Sequence, residues 1–430
     1  MTVITDRPVP VDPQSQSRLR ERGLEYRLID MDDPADGAGF LRADARGFLD
    51  EDPTDAELAQ MRETMRARRN IGVFDPDAGS WPIATVNSWV TPLTVPGAEL
   101  PMWAISSVTV AGTHRRRGIA RCLLEGELRA AAAAGVAVAG LTASEATIYS
   151  RYGFAPAIPV ARLTIDTARA GWAGGPVAGR VLYADKPTLA ADLETLHEAA
   201  RGDRSGQIAG WRGRWTRMAG LADGDKQAAA VRGIRYVDAD GVVRGAMAYT
   251  LSELPDHFRS ELKIRMMIAT DDEALRALWQ FVLQHDLVAR AVVDQRPVDD
   301  PLPWLVADQR AVTVQVHDHG WLRLLDVPAA LTARTYRAAL DTVLDVHDPL
   351  GIAGGRWRVQ VDDSGTCRVS ASDAPAEVEM SIVELSAIYA GAVPAAQLAA
   401  AGRVRGSDQA VAALSAAFLT APAPLLGIWY

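Results

Sequence analysis

Cysteine is nearly absent from this chain: only Cys122 and Cys367 occur in 430 residues. Two thiols so far apart exclude a disulfide framework and offer no zinc-ligand spacing. No stretch of 18 apolar residues occurs, so no segment reads as a membrane span. Residues 1–22 are polar, carry Pro8, Pro10 and Pro13, and lack the apolar run of a secretory signal. A cytoplasmic protein with a disordered first 22 residues is expected. Basic excess is missing as well, with 45 Lys and Arg against 54 Asp and Glu and a net charge of −9. That balance argues against nucleic acid as a partner, because phosphate recognition needs a basic face. An acidic surface suits cationic substrates, and it also serves solubility. The 48% hydrophobic and 23% charged content is that of an ordinary globular protein, and the length implies two or three domains.

Two nucleotide motifs are also lacking: no P-loop Gly-Lys-Ser/Thr and no Rossmann Gly-x-Gly-x-x-Gly. What is present is Ser107-Val-Thr-Val-Ala-Gly-Thr-His-Arg-Arg-Arg-Gly-Ile-Ala120, which reads as a strand, a basic glycine loop and the start of a helix. Amides at such a helix N-terminus lack intrahelical partners, and the helix dipole adds positive potential, so an anion fits there. Arg115, Arg116 and Arg117 add fixed charge, and Gly118 lets backbone approach a pyrophosphate. The spacing Arg115-x-x-Gly118-x-Ala120 resembles the signature of the GNAT family of N-acetyltransferases. In that resemblance the pyrophosphate belongs to acetyl-coenzyme A (acetyl-CoA).

Organisation along the chain follows the same alternation. From Glu25 to Ile165 strands and helices intermix as one α/β unit, with helices over 38–48, 55–68 and 119–134. Gly171-Trp-Ala-Gly-Gly-Pro176 is a linker candidate. Residues 177–310 loosely repeat the order, and strand 262–269 feeding helix 271–285 occupies the place of strand 102–110 feeding helix 119–134. Its connection is Thr270-Asp-Asp-Glu273, an acidic cap that would repel phosphate, so this copy should hold no cofactor. From residue 311 onward strands and then helices follow, ending in the apolar, aromatic run Pro422-Ala-Pro-Leu-Leu-Gly-Ile-Trp-Tyr430.

Downstream of the loop, Ala143-Ser-Glu-Ala-Thr-Ile-Tyr-Ser-Arg-Tyr-Gly-Phe154 places Tyr149 four residues before Gly153. Thioester aminolysis expels a thiolate, and a phenol can donate the proton that eases its departure. Tyr152, next to the glycine, reads as a packing residue. His317-x-His319 has metal-compatible spacing without a third ligand, and a hairpin turn at Asp318-His-Gly320 explains it better. Trp211, Trp215 and Trp304, with Arg212-Gly-Arg214, read as core or interdomain packing rather than base stacking.

Several runs together resemble the Eis (enhanced intracellular survival) acetyltransferases: Thr113-His-Arg-Arg-Arg-Gly118, Ala143-Ser-Glu145 with Ile148-Tyr149, Asp300-Pro-Leu-Pro303, Trp321-Leu-Arg323, Val327-Pro-Ala-Ala-Leu331 and Ala374-Pro-Ala-Glu-Val-Glu-Met380. The resemblance implies an α/β architecture of mixed sheets: a GNAT domain over 23–170, a degenerate GNAT-like domain over 177–310, and a sterol-carrier-protein-like domain over 311–430, assembled as a homo-hexamer. It implies backbone contacts from Val108 and Val110 to the pantetheine, Arg115, Arg116 and Gly118 on the pyrophosphate, and Ser144 near the thioester. Tyr149 would be the general acid and the carboxylate of Tyr430 the general base. A partly desolvated carboxylate suits that task, and the apolar tail gives it a reason to be buried. Ser107 and Thr142 depart from the family, which often has an aromatic and a His there. Phe48 and Asp50 are candidates for gripping a cationic amine. The expected reaction is acetyl transfer from acetyl-CoA to an aminoglycoside, polyamine or lysine side chain, without a metal. The alternative is a non-catalytic lipid- or partner-binding protein using its C-terminal or degenerate GNAT domain.

Overall fold

Thr54 and Glu57 close a capping box, and Asp33 followed by Pro34 starts another helix, so local chemistry marks where helices begin. In a computed structural model, which describes residues 9–255 and 258–430, the first elements are α1 (Pro13–Arg20), β1 (Glu25–Leu28), α2 (Pro34–Phe48), α3 (Asp55–Met65), β2 (Arg69–Phe74), β3 (Ala84–Val95), β4 (Ala98–Val110), α4 (Ile119–Ala133), β5 (Val138–Thr142) and α5 (Ala146–Tyr149). Then come β6 (Ala155–Asp166), α6 (Thr167–Ala170), β7 (Arg180–Ala184), α7 (Lys186–Ala200), α8 (Arg212–Met218), β8 (Arg232–Val237), β9 (Val243–Glu253), β10 (Ser260–Ala269), α9 (Asp272–Leu283), β11 (Val288–Arg296), α10 (Leu302–Leu305) and β12 (Val312–Leu324). The last are α11 (Val327–Thr332), β13 (Leu340–His347), β14 (Gly355–Val361), β15 (Cys367–Ala371), β16 (Val378–Ser381), α12 (Ile382–Tyr389), α13 (Ala395–Ala400), β17 (Arg405–Gly406) and α14 (Asp408–Phe418). Both cysteines are buried and unbridged.

The chain divides into two units. One comprises the residues up to Ala157, Gly320–Thr420 and Tyr430; the other comprises Ile158–His319 and Ala421–Trp429. In the first unit the strand order is β1-β2-β3-β4-β5-β12, antiparallel except for the parallel β4–β5 pair. Helix α4 covers this sheet with Ile119, Cys122, Leu123, Leu124 and Leu128, all buried. Its Glu127 is buried too, and it accepts from Trp103 Nε1 at 3.1 Å and Arg69 Nε at 3.1 Å, so the buried carboxylate is paired. A second sheet in this unit has the order β15-β14-β13-β16-β17, with β13 and β16 parallel.

The expected disorder over residues 1–22 does not hold where the chain is described. Asp12 caps α1 by accepting from the Ser15 amide at 2.7 Å, Pro13 occupies the first turn, and Leu19 is fully buried. Arg129 pairs with Asp12 at 2.7 Å, which ties α1 to α4. Pro13, one of the prolines that suggested disorder, initiates a helix instead; residues 1–8 lie outside the described residues. The hairpin turn expected at Asp318-His-Gly320 is also absent. β12 runs straight through it, because Gly320–Leu324 pair with Thr142–Val138.

In the second unit the order is β6-β11-β10-β9-β8-β7, and β10–β11 is the parallel pair. β10 feeds α9 as β4 feeds α4. The strand-to-helix junction expected from the sequence is thus repeated, here with the expected acidic cap: Asp271 accepts from the Ala274 amide at 2.7 Å.

One buried ion pair holds the first unit's two sheets in register. Arg323 on β12 and Asp348 after β13 have fully buried side chains, and Arg323 Nη2 lies 2.7 Å from Asp348 Oδ2. Arg323 Nε also donates to the Tyr152 carbonyl at 2.9 Å, and Asp348 accepts the amides of Leu350, Ile352 and Ala353. Burial pushes the Asp348 carboxyl upward, yet the Arg323 charge and these hydrogen bonds hold it below its ordinary value. Removing one partner strands the other charge. Asp348→Ala should therefore destabilise the protein by about 3–5 kcal/mol in chemical denaturation, whereas breaking an exposed pair such as Arg358 with Asp341 should cost far less.

Candidate active site

The parallel β4–β5 ladder is short. Met102 pairs with Val138, Trp103 with Ala139 and Ala104 with Gly140, after which the strands separate although β4 continues to Val110. Just beyond that point β4 bulges. Asn87 of β3 faces Ser106 and Thr85 faces Thr109, so Val86 alone opposes Ser107 and Val108. Ser107 takes a left-handed φ of 54° to make this possible. Thr85 Oγ1 locks the bulge by donating to the Ser107 carbonyl at 2.8 Å. The result is a V between two parallel strands with kinked backbone at its apex, which can receive an extended ligand arm and present an amide to its carbonyl.

At the open end of the V, α4 begins with Gly118 at φ 71° and no side-chain cap. A Cβ added there would meet Arg22 Nη1 at 3.2 Å, and the left-handed φ already disfavours any other residue. No acidic residue lies in the first turn of α4, so its leading amides and dipole face outward unneutralised. Arg115, Arg116, Arg117 and Gly118 are exposed. The loop behind them is pinned by His114, whose ring lies 3.0 Å from Asp75 and 2.7 Å from Thr113 Oγ1.

Tyr149 ends α5 and is buried, its ring 6.2 Å from that of Phe154 and 6.3 Å from that of Trp321. Burial, and then the negative charge of Glu145, push its phenol above the ordinary tyrosine value, so it is protonated at neutral pH. Tyr152 is buried, and Gly153 follows at φ 89°, with the Arg323 side chain passing where a Cβ would stand. Ser144 is exposed in the turn before α5.

Tyr430 sits on the same unit. The Thr142 hydroxyl at the end of β5 donates to its backbone oxygen, and its ring packs edge-on against Trp89 at 5.2 Å. Its phenol reaches over Gly140, and burial raises that phenol's pKa. Arg68 stacks on Trp89 at 3.7 Å and donates to Asn87 Oδ1 at 3.2 Å. Phe48 is half exposed at the end of α2, and Asp50 is exposed two residues on.

Sequence reasoning missed Asp44. It lies on α2, nine-tenths buried, with the Ser107 side chain near its carboxyl, and its Oδ1 has no hydrogen-bond partner. Burial raises its pKa to about 7, opposed by Ser107 and helped by the charge of Asp50. The one available signal was an acidic residue on the apolar face of a helix next to the Ser107 departure.

Residues 31–157 match a model of an acetyltransferase (GNAT) domain, 206–324 match a second, and 327–427 match a sterol carrier protein domain. An uncharacterized N-acetyltransferase of Streptomyces avermitilis is 35% identical over 404 residues, 90% of this chain and 94% of that protein. N-acetyltransferase Eis of Mycobacterium tuberculosis is 35% identical over 346 residues, 76% of this chain and 80% of that protein. The chain belongs to the Eis family. The crystal structure of Eis1 from Mycobacterium abscessus superposes with a TM-score of 0.80 at 29% identity, over 95% of this chain and 100% of that one. The Eis-family chain is thus an acetyltransferase built of two GNAT domains and a sterol-carrier-like domain, and a GNAT fold implies acetyl-CoA as co-substrate. Among the described residues no group of three or more His, Cys, Asp or Glu could hold a metal, and no helix is long and apolar enough to cross a membrane.

The Asp44 carboxyl gives a pH signature. Its folded pKa is raised from 3.8 to about 7, so the folded state binds the extra proton over that window. Its contribution to stability is full below about pH 4 and is lost as pH rises through about 7. Asp44→Asn should melt higher than the parent at pH 8, with the advantage shrinking toward pH 5 in a thermal-melt series.

Proposed function

We propose that this protein transfers acetyl from acetyl-CoA to a primary amine of a cationic substrate by direct attack in a ternary complex. The observation that carries the reading is the conjunction, in one unit, of the separated β4–β5 pair, the uncapped α4 terminus with its arginines, and Tyr430 seated on Thr142. In this reading Arg115, Arg116 and Gly118 grip the pyrophosphate, and the backbone of Val108 and Val110 aligns the pantetheine as a strand would. Ser144 flanks the thioester, and the bulge amides stabilise the oxyanion. The carboxylate at Tyr430 takes the ammonium proton, the amine attacks the thioester carbonyl, the C–S bond breaks as Tyr149 protonates the departing thiolate, and the proton shed by the new amide nitrogen restores the phenol by way of solvent. Phe48 and Asp50 receive the cationic part of the substrate. Aminoglycosides, polyamines and lysine side chains all offer such an amine.

Three finer points belong to the same proposal: boundaries at 23–170, 177–310 and 311–430, a homo-hexamer, and a cytoplasmic setting. Their support is the resemblance in sequence to the Eis family and, for the setting, the sequence features described first.

Release of free thiol from acetyl-CoA across a panel of amines tests the reading. The parent should turn over at least one amine; silence with every amine would favour a binding protein instead. Tyr149→Phe and removal of Tyr430 should each lower kcat by about 10²–10⁴-fold with cofactor affinity retained. Arg115→Ala should raise the KM for acetyl-CoA while leaving kcat near that of the parent.

A further inference from the structure

The second unit repeats the geometry of the first up to a point. β10 and β11 pair in parallel only from Ser260 to Ile264, opposite Val288 to Val293, and then part; β10 slips register against β9 between Ile264 and Met266. Where the strands part lies a cavity of about 770 Å³, with Met267, Leu275, Leu425 and Trp429 among its walls. That volume holds a molecule of drug size. The junction ahead of it is closed to phosphates: Asp271 caps α9, Asp272 and Glu273 occupy its first turn, and Asp271 and Asp272 line the cavity. The space persists, but a coenzyme diphosphate would meet carboxylates.

One wall group has no counterpart. Arg214, on α8, lines the cavity and is nine-tenths buried. Its Nε has no hydrogen-bond partner, and among the described residues its guanidinium makes one long hydrogen bond, from Nη2 to the Gly427 carbonyl at 3.4 Å. The other guanidinium groups around the cavity are matched: Arg201 with Glu198 at 2.6 Å, Arg204 with Asp299 at 2.7 Å, Arg265 with Asp225 at 2.7 Å and Arg296 with Asp300 at 2.6 Å. Among the described residues no carboxylate pairs with Arg214. Burial, and then the like charges of Arg217 and Arg265, lower its pKa to about 10, which leaves it cationic at neutral pH. A buried, unpaired guanidinium is costly unless something supplies the anion, and its planar fork matches an oxyanion.

We propose that this cavity is a binding site for a small organic oxyanion, an apolar body carrying one carboxylate or phosphate, with Arg214 as the group that receives the charge. The apolar body lies along Met267 and Leu275 while the acidic α9 terminus turns away diphosphates. The site uses none of the residues assigned to acetyl transfer, so its test does not depend on that assignment.

Calorimetric titration and thermal melting of the full chain with octanoate, octyl phosphate and octylamine test it. Octanoate should bind and raise the melting temperature, octyl phosphate should do likewise, and octylamine should do neither. Arg214→Met should weaken octanoate binding at least tenfold, and without ligand it should melt no lower than the parent, because a buried unpaired charge has gone. Arg115→Ala should leave octanoate binding intact, which separates this site from the coenzyme loop. Should Arg214→Met fail to fold, Leu275→Trp fills the cavity without touching the charge and should abolish octanoate binding. No binding of octanoate by the parent, or equal binding after Arg214→Met or Leu275→Trp, would overturn the proposal.

Discussion

The separation of two parallel strands is the constraint on which the rest of the first unit depends. Parallel neighbours normally satisfy each other's backbone along their whole length, but β4 and β5 do so over three residue pairs only. Beyond Ala104 the amides and carbonyls on that edge of β4 need another partner, since backbone polar groups left buried and unpaired are costly. An extended amide-bearing arm has the right chemistry to serve. The bulge at Ser107, the Thr85 hydrogen bond that locks it, and the placement of Tyr430 beside Thr142 are arranged around this gap.

The two halves of the chain show how little is needed to redirect one geometry. Each has a strand with a register slip, a short parallel pair and a helix beginning at the open end. In the first, that helix starts at an uncapped glycine behind three arginines; in the second, an aspartate caps it and two more acids follow. Helix-terminal amides carry the same dipole in both places, so the side chains around them decide whether an anion is welcome. Charge that the second copy lost at its helix reappears on Arg214, at another wall of its cavity.

The strand, loop and helix from Ser107 to Ala120 were legible because periodicity and glycine chemistry are local. The acidic cap at Asp271 was legible for the same reason. Strand β11 was not anticipated: Val288–Arg296 mixes apolar and charged residues, and its identity as a strand comes from pairing with β10 and β6. Asp318-His-Gly320 has turn chemistry, yet distant pairing with β5 keeps it extended. Pro13 near the start read as part of a disordered stretch and proved to be helix-initiating. Asp44 was hidden because what matters about it is burial beside Ser107, far away in sequence, and no spacing rule reports that. Tyr430 was reached through resemblance and an apolar tail, whereas the hydroxyl that holds it, Thr142, was known only as a departure from the family.

Under the proposed function, one of two like-shaped junctions accepts the coenzyme and the other refuses it. Isothermal titration of the full chain with acetyl-CoA reads this as a stoichiometry. One molecule bound per chain is the predicted result; two per chain, or none, would contradict it.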